Sequence, residues 1–254
     1  MRKAVILAAG RGVRLGALGL ERPKGFLELG GRPIVEEALL RLSGAGVERV
    51  VIVTGHCREH YERLQQRYAG FVTTVHNAEY RRCGSMYSLY CARASIDEPF
   101  LLLESDLIFE QHALDALVSA PERDCVLLSG FSTSGDEVFV WTDLEGAVTD
   151  ISKRRLPGRE PAGEFVGVNK ISVELFRRMV TQAEAMFERG LAGDYETDCL
   201  DAVAKSYALP CRIVPDLKWA EIDDAVHLER ARTRVYPQIA PIAAQGAGLT
   251  RGLE

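Results

Sequence analysis

Short strand-like runs rich in Val, Ile and Leu recur through the first half of the chain at 3–8, 49–53, 71–75 and 100–104. Between them, at 33–44, 57–68, 86–95 and 111–119, apolar residues return every three or four positions, the spacing of an amphipathic helix. Runs this short and this apolar suit strands covered on both faces, and strand alternating with helix is the cadence of βαβ units around a parallel sheet. From 124 onward the pattern changes. Four extended runs (124–129, 137–142, 147–152 and 164–171) follow one another, broken by Gly, Asp and Pro, which predicts extra strands and a subdomain of their own. Helical spacing returns at 172–189 and 196–206, a last strand is expected at 212–215, and a helix at 224–234 follows Lys218–Asp223. Beyond Val235 the Ala-, Gly- and Pro-rich sequence has no period, which predicts an irregular tail over 235–254. The expected organisation is one domain over 1–234, divided into halves at 1–122 and 123–234.

Composition narrows the function classes. At 254 residues and 47% hydrophobic content the chain can fill the core of one large α/β domain. A formal charge of −5 argues against a nucleic-acid surface, yet Arg11, Arg14, Arg22, Lys24 and Arg32 near the start face only Glu21 and Glu28, a contrast that suits a small anionic ligand. The six cysteines (57, 83, 91, 125, 199 and 211) form no Cys-x-x-Cys pair and no framework spacing, which points to free thiols in a reducing, cytoplasmic setting. His56 and His60 are four apart but lack a nearby third ligand, so they read as a solvated helix start. No apolar run exceeds strand length, so neither a signal peptide nor a membrane span is expected.

The chemistry concentrates where the first strand, Ala4-Val5-Ile6-Leu7, runs into Ala8-Ala9-Gly10-Arg11-Gly12-Val13-Arg14-Leu15 and then Arg22-Pro23-Lys24. Glycine at 10 and 12 lets the backbone turn tightly and bring its N–H groups against phosphate oxygens. Leu7, Ala8, Ala9, Gly10 and Gly12 are therefore candidates to cradle a nucleotide, with Arg14 and Lys24 supplying cationic charge. A dinucleotide fingerprint would need a third Gly or Ala where Leu15 stands and an acid after the second strand, where Val53-Thr54-Gly55 stands; a P-loop would need Gly-Lys-Ser/Thr. What remains, closed by Gly31-Arg32-Pro33-Ile34, resembles the nucleotidyltransferases that activate sugars and alcohol phosphates. That resemblance implies a Rossmann-like, mixed and mostly parallel sheet flanked by helices, of the nucleotide-diphospho-sugar transferase type, with a nucleoside triphosphate substrate and Mg²⁺.

Phe100-Leu101-Leu102-Leu103-Glu104-Ser105-Asp106 is a buried-type strand that ends in carboxylates, at the edge where open α/β sheets place their ligands. Asp106 is thus a candidate for Mg²⁺, which is held by one or two carboxylates together with substrate phosphates; the plain reading is an Asp capping the next turn. In Glu221-Ile222-Asp223 strand alternation sends both acids to one face, making Asp223 and Glu221 candidates for the second ligand, against an N-cap by Asp223 or Asp224. Trp219-Ala220-Glu221-Ile222-Asp223 followed by a helix is similar to the closing segment of choline-phosphate cytidylyltransferases. The resemblance to this cytidylyltransferase branch covers 1–234 and includes His76-Asn77-Ala78-Glu79-Tyr80 and Ser85-Met86-Tyr87-Ser88-Leu89. It implies CTP as donor, with Ser85 and Ser88 holding the cytosine end, although Gly84-Ser85 replaces the family's Asn-Asn.

The reaction implied is in-line attack of a phosphate or phosphonate oxygen on the α-phosphorus of CTP with loss of pyrophosphate. Such an acceptor is already anionic, so no general base is needed. An exposed Lys24 near the α-phosphate and Arg14 near the leaving phosphates would carry the charge, and Lys153 is the candidate for the acceptor's phosphoryl oxygens. Phosphocholine enzymes enclose a quaternary ammonium with aromatic faces. Here the matching stretches, Asp136-Glu137-Val138 and Tyr195-Glu196-Thr197-Asp198, keep acids and lose most aromatics, which suits a primary ammonium. Asp198, helped by Glu196, is therefore expected to bind the amine of 2-aminoethylphosphonate, against the plain reading that these acids open a helix. Phosphocholine, a sugar 1-phosphate, or a catalytically silent regulatory subunit are the alternatives; the joint presence of Arg14, Lys24, Asp106 and Asp223 speaks against the last. No nucleic-acid or membrane partner is expected, and a homodimer is left open.

Overall fold

The strand β1 (Lys3–Ala8) is buried at every position because it lies in mid-sheet with helices on both sides. The computed structural model describes residues 1–241. After β1 come α1 (Ala17–Glu21), the two-residue strands β2 (Glu28–Leu29) and β3 (Arg32–Pro33), α2 (Ile34–Gly44), β4 (Arg49–Thr54), α3 (Glu59–Arg67), β5 (Val72–His76) and α4 (Ser85–Cys91). There follow β6 (Phe100–Glu104), β7 (Leu107–Phe109), α5 (His112–Val118), β8 (Cys125–Ser129), β9 (Phe139–Thr142), β10 (Val148–Ser152) and β11 (Gly163–Ile171). The described chain continues through α6 (Val173–Phe187), α7 (Asp201–Ala204), β12 (Cys211–Val214), β13 (Trp219–Glu221) and α8 (Ala225–Arg230).

Among the described residues nine strands share one sheet. β1 pairs in parallel with β4 and β6, and β5 extends the parallel half beyond β4. β11 runs antiparallel to β6 and β8 and, through its first residues, to β9, which carries β10; β12 lies parallel to β8. The strands expected to form their own subdomain thus continue the sheet begun by β1, β4, β5 and β6. Alternation along β1 sends Ala4, Ile6 and Ala8 into a core with α2, α3 and α5, and Val5 and Leu7 into a core with α4 and α6. Full burial of each larger aliphatic side chain stabilises by about 1.5–3 kcal/mol.

Several expected elements change at their ends. The helix expected over 86–95 stops at Cys91, and the one over 196–206 begins as a wide π-type turn at Tyr195–Leu200 before α7. The strand β7 is absent from the sequence reading, which sees only a turn after Asp106. It pairs antiparallel with β13, Leu107 opposite Glu221 and Phe109 opposite Trp219. A third core of Leu15, Leu27, Leu29, Ile34, Ile108, Ala220, Ile222 and Leu228 fixes this ribbon against the chain that leads out of β1. The tail does not come loose at Val235: Ile239 is 6% exposed, and Arg41 donates to the Ala240 carbonyl at 3.3 Å. The remainder of that expected tail, 242–254, lies outside the described residues. All six cysteines are free, and among the described residues no helix is long and apolar enough to cross a membrane. His56 turns its Nε2 to the Gly19 carbonyl at 3.0 Å, and the His60 ring packs on Phe26.

Candidate active site

The carboxyl ends of β1 and β6 open into a cleft of about 570 Å³. Leu7, Ala8, Ala9 and Gly10 form one wall, as their position at the end of β1 requires. Gly12 does not reach it. Its φ of +60° makes the left-handed turn that glycine tolerates, and a Cβ there would sit 3.3 Å from the Gly19 Cα, so Gly12 shapes the loop from behind.

The charge centre lies at the floor. Lys24, in a helical turn after Pro23, donates to Asp106 Oδ2 at 2.6 Å and to Asp223 Oδ1 at 2.5 Å, while Arg14 meets Asp223 Oδ2 at 2.6 Å. The Lys24 side chain is only 15% exposed, so the expected exposed lysine is instead clamped between two carboxylates. Strand pairing causes this: the Ile222 N–H donates to the Asp106 carbonyl at 3.1 Å, which continues the β7–β13 ladder and sets Asp106 beside Asp223. Burial alone would lower the Lys24 pKa, but the attraction of Asp106 and Asp223 outweighs it and raises it. Burial opposes ionisation of Asp223 as well, and Lys24 and Arg14 overcome it to hold that carboxyl below its usual range.

Glu104, Asp106 and Glu221 each offer an oxygen within 4.8 Å of the other two. Burial first, then repulsion from Glu221, raises the Glu104 pKa well above its ordinary value, and burial with Asp106 does the same to Glu221. Glu104 is missing from the sequence candidates; its signal was its place two residues before Asp106 at the end of a buried strand. Glu104, Asp106, Glu221 and Asp223 outnumber the cations Lys24 and Arg14, and their all-oxygen donor set is the kind that holds Mg²⁺.

The second half of the cleft is built on α4. Gly84 donates to the Leu191 carbonyl at 2.8 Å, and Met86 to Gly193 at 3.2 Å, docking residues 191–194 on the helix start. Ser85 Oγ accepts the Tyr195 N–H at 2.9 Å and faces Asp194 and Glu196; the buried Ser88 accepts from Asn77 Nδ2 at 3.0 Å. Both serines line the cleft, as do Lys153 and Glu196, and Lys153 reaches Asp194 at 3.3 Å. Asp198 does not. It is exposed, lies outside the cleft wall, and accepts the Asp194 N–H at 2.7 Å, closing the turn that leads into 195–200. Asp194, not singled out as a candidate from the sequence, takes its place in the wall. Burial and the nearby Asp194 push Glu196 up to about 7.

A Cβ on Gly84 would lie 2.3 Å from the Gly193 carbonyl oxygen. Gly84→Ala must therefore push 191–194 off α4, and thermal unfolding should show a loss of about 1–3 kcal/mol, the usual cost of overpacking. An unchanged melting temperature would show that the segment is free to move.

The arrangement can hold an anionic chain against Lys24 and Arg14 and a small cation against Glu196 and Asp194. The sequence profile of the MobA-like NTP transferase domain matches residues 4–155. Over 244 residues the chain is 33% identical to the CMP-5'-(3-aminopropyl)phosphonate synthase of Streptomyces rubellomurinus, covering 92% of this chain and 39% of that protein's length. It is also 33% identical over 179 residues to the 2-aminoethylphosphonate cytidylyltransferase of Lancefieldella rimae, covering 69% of each. The solved inositol-1-phosphate CTP transferase from T. maritima shares the fold, with a TM-score of 0.78 at 22% identity over 95% of this chain and 98% of that one.

Proposed function

Because the chain belongs to the MobA-like NTP transferase family, we propose that it transfers CMP from CTP to a small amine-bearing phosphonate, 2-aminoethylphosphonate, releasing pyrophosphate. The observation that carries this reading is the Lys24 ammonium held between Asp106 and Asp223 at the foot of the Leu7–Gly10 wall. The wall supplies backbone for the triphosphate. Lys24 stabilises charge at the α-phosphate as the acceptor oxygen bonds to phosphorus and the bond to the β-phosphate oxygen breaks. Arg14, whose side chain is 64% exposed, neutralises the departing pyrophosphate. Asp106 and Asp223, with Glu221 and Glu104 beside them, would hold Mg²⁺, which when bound offsets the triphosphate's charge. Ser85 and Ser88 face the cytosine end.

For the acceptor, Lys153 binds the phosphonate oxygens, and Glu196 with Asp194 binds the ammonium. The names of the two relatives, one an aminopropyl- and one an aminoethylphosphonate enzyme, support an amine-bearing acceptor over a sugar phosphate. Pyrophosphate release should be measured for each of the four NTPs with 2-aminoethylphosphonate, 3-aminopropylphosphonate, phosphocholine and glucose 1-phosphate. CTP with 2-aminoethylphosphonate is expected to give the highest kcat/KM; preference for glucose 1-phosphate, or for phosphocholine, would overturn the assignment.

Glu196 adds a pH signature. Its pKa of about 7 makes it largely a neutral acid at the lower end of the neutral range and a carboxylate at the upper end. Only the carboxylate pairs with an ammonium, which stays protonated throughout. The Glu196 charge therefore develops as pH rises through the neutral range, so KM for 2-aminoethylphosphonate should fall several-fold between pH 6 and pH 8. In Glu196→Gln that fall should vanish, and 2-hydroxyethylphosphonate, with the same phosphonate and no amine, should not show it in wild type. An equal fall with both acceptors would place the titration on the phosphonate instead.

A further inference from the structure

His227 alone among the five histidines is buried, at 8% exposure. Its Nδ1 has no hydrogen-bond partner among the described residues, although Asp136 Oδ2 lies 3.4 Å away and Asp224 Oδ1 4.0 Å away. Asp224 is already engaged, accepting the Val226 and His227 N–H groups as the cap of α8. A buried imidazole nitrogen left without a partner is costly, and here it points at a carboxylate without bonding it. Asp223 completes the group: one donor atom each from Asp136, Asp223 and His227 lies within 4.8 Å of the other two.

We propose that Asp136, Asp223 and His227 bind a divalent metal ion of the Zn²⁺ class, at a site that shares only Asp223 with the proposed Mg²⁺ set of Glu104, Asp106, Glu221 and Asp223. Two carboxylates and an imidazole are the donors such ions take, whereas an all-oxygen set suits Mg²⁺. Metal–ligand bonds of about 2.0–2.2 Å put neighbouring donors about 3.0–3.6 Å apart, and the His227–Asp136 separation of 3.4 Å falls in that range. Asp223 can serve while it accepts from Lys24 and Arg14, because each carboxylate oxygen has a second lone pair. The ion would tie together three segments: the loop between β8 and β9 that carries Asp136, the end of β13, and α8. That loop is already fastened from two sides, with Glu164 accepting the Ser132 hydroxyl at 2.8 Å and Arg230 donating to the Ser132 carbonyl at 2.8 Å. A metal at its tip would fix Asp136 and Glu137 at the acceptor end of the cleft.

The test uses Co²⁺ as probe on the full chain without nucleotide, with Mg²⁺ in excess to occupy the oxygen set, read by visible absorption and calorimetry. Wild type is expected to bind one Co²⁺ with a spectrum showing nitrogen ligation. His227→Ala and Asp136→Asn should each weaken binding by at least about tenfold, and Glu104→Gln should bind as wild type does. Asp136 lies on a loop and its side chain is 28% exposed, so its variant keeps the test standing should His227→Ala not fold. Equal Co²⁺ affinity in wild type, His227→Ala and Asp136→Asn, or a signal lost in Glu104→Gln but kept in His227→Ala, would overturn the site. Because no substrate is present, these outcomes stand apart from those of the pyrophosphate assay.

Discussion

Lys24→Ala should lower kcat by about 10²–10³-fold, the loss seen when one preorganised donor to a developing charge is removed. Its place between Asp106 and Asp223 adds a second expected effect, on stability. Without the ammonium the two carboxylates face each other across a partly closed site. Breaking a fully buried ion pair costs about 3–5 kcal/mol, and the opening to the cleft reduces this to about 1–3 kcal/mol. Mg²⁺ should then raise the melting temperature of Lys24→Ala more than that of wild type, since the freed carboxylates gain a cation. Lys24→Met, which keeps most of the stem, should repeat the kinetic loss. A kcat within tenfold of wild type in both variants would remove Lys24 from the chemistry, and an unaltered melting temperature would mean that the clamp contributes nothing to the fold.

Asp223→Asn is expected to be the more damaging of the two carboxylate substitutions. Asp223 accepts from both Lys24 and Arg14, whereas Asp106 accepts from Lys24 alone. An amide keeps the shape but gives a metal or an ammonium only a neutral oxygen. Asp223→Asn should therefore depress kcat by about 10²-fold and raise the Mg²⁺ concentration needed for half-maximal rate by about 10–100-fold; Asp106→Asn should chiefly do the latter. Steady-state rates across a Mg²⁺ titration decide it. Wild-type behaviour of Asp223→Asn would shift metal holding to Glu104, Asp106 and Glu221.

The parallel half of the sheet is legible in the sequence because its strands are buried on both faces and bounded by helices of clear period. The cradle is legible for a similar reason: a strand, a glycine turn and a Pro-Lys are local features whose geometry follows from their own residues. Even so, Gly12 sits behind the loop, since only the packing of Gly12 on Gly19 decides which glycine faces the cleft. Asp198 lies outside the cleft, which the sequence does not show because a run of acids at 194, 196 and 198 does not tell which carboxylates a π-type turn sends inward. Glu104 is not legible as a site residue because its neighbour Glu221 comes from β13, near the far end of the chain.

By itself the sequence determined the alternation of strands and helices, the glycine turn after β1, the carboxylates that end β6, and the Glu-x-Asp before α8. These depend on side-chain period and on backbone preferences within a few residues. Only the tertiary structure decided that Asp106 and Asp223 meet, that Lys24 lies between them 199 residues from Asp223, and that Asp194 and Glu196 turn to the cleft while Asp198 turns away. The pairing of β7 with β13 and the docking of 191–194 on α4 fix these placements. Each forms between segments far apart in sequence, where hydrogen bonding and burial, and no local pattern, select the register.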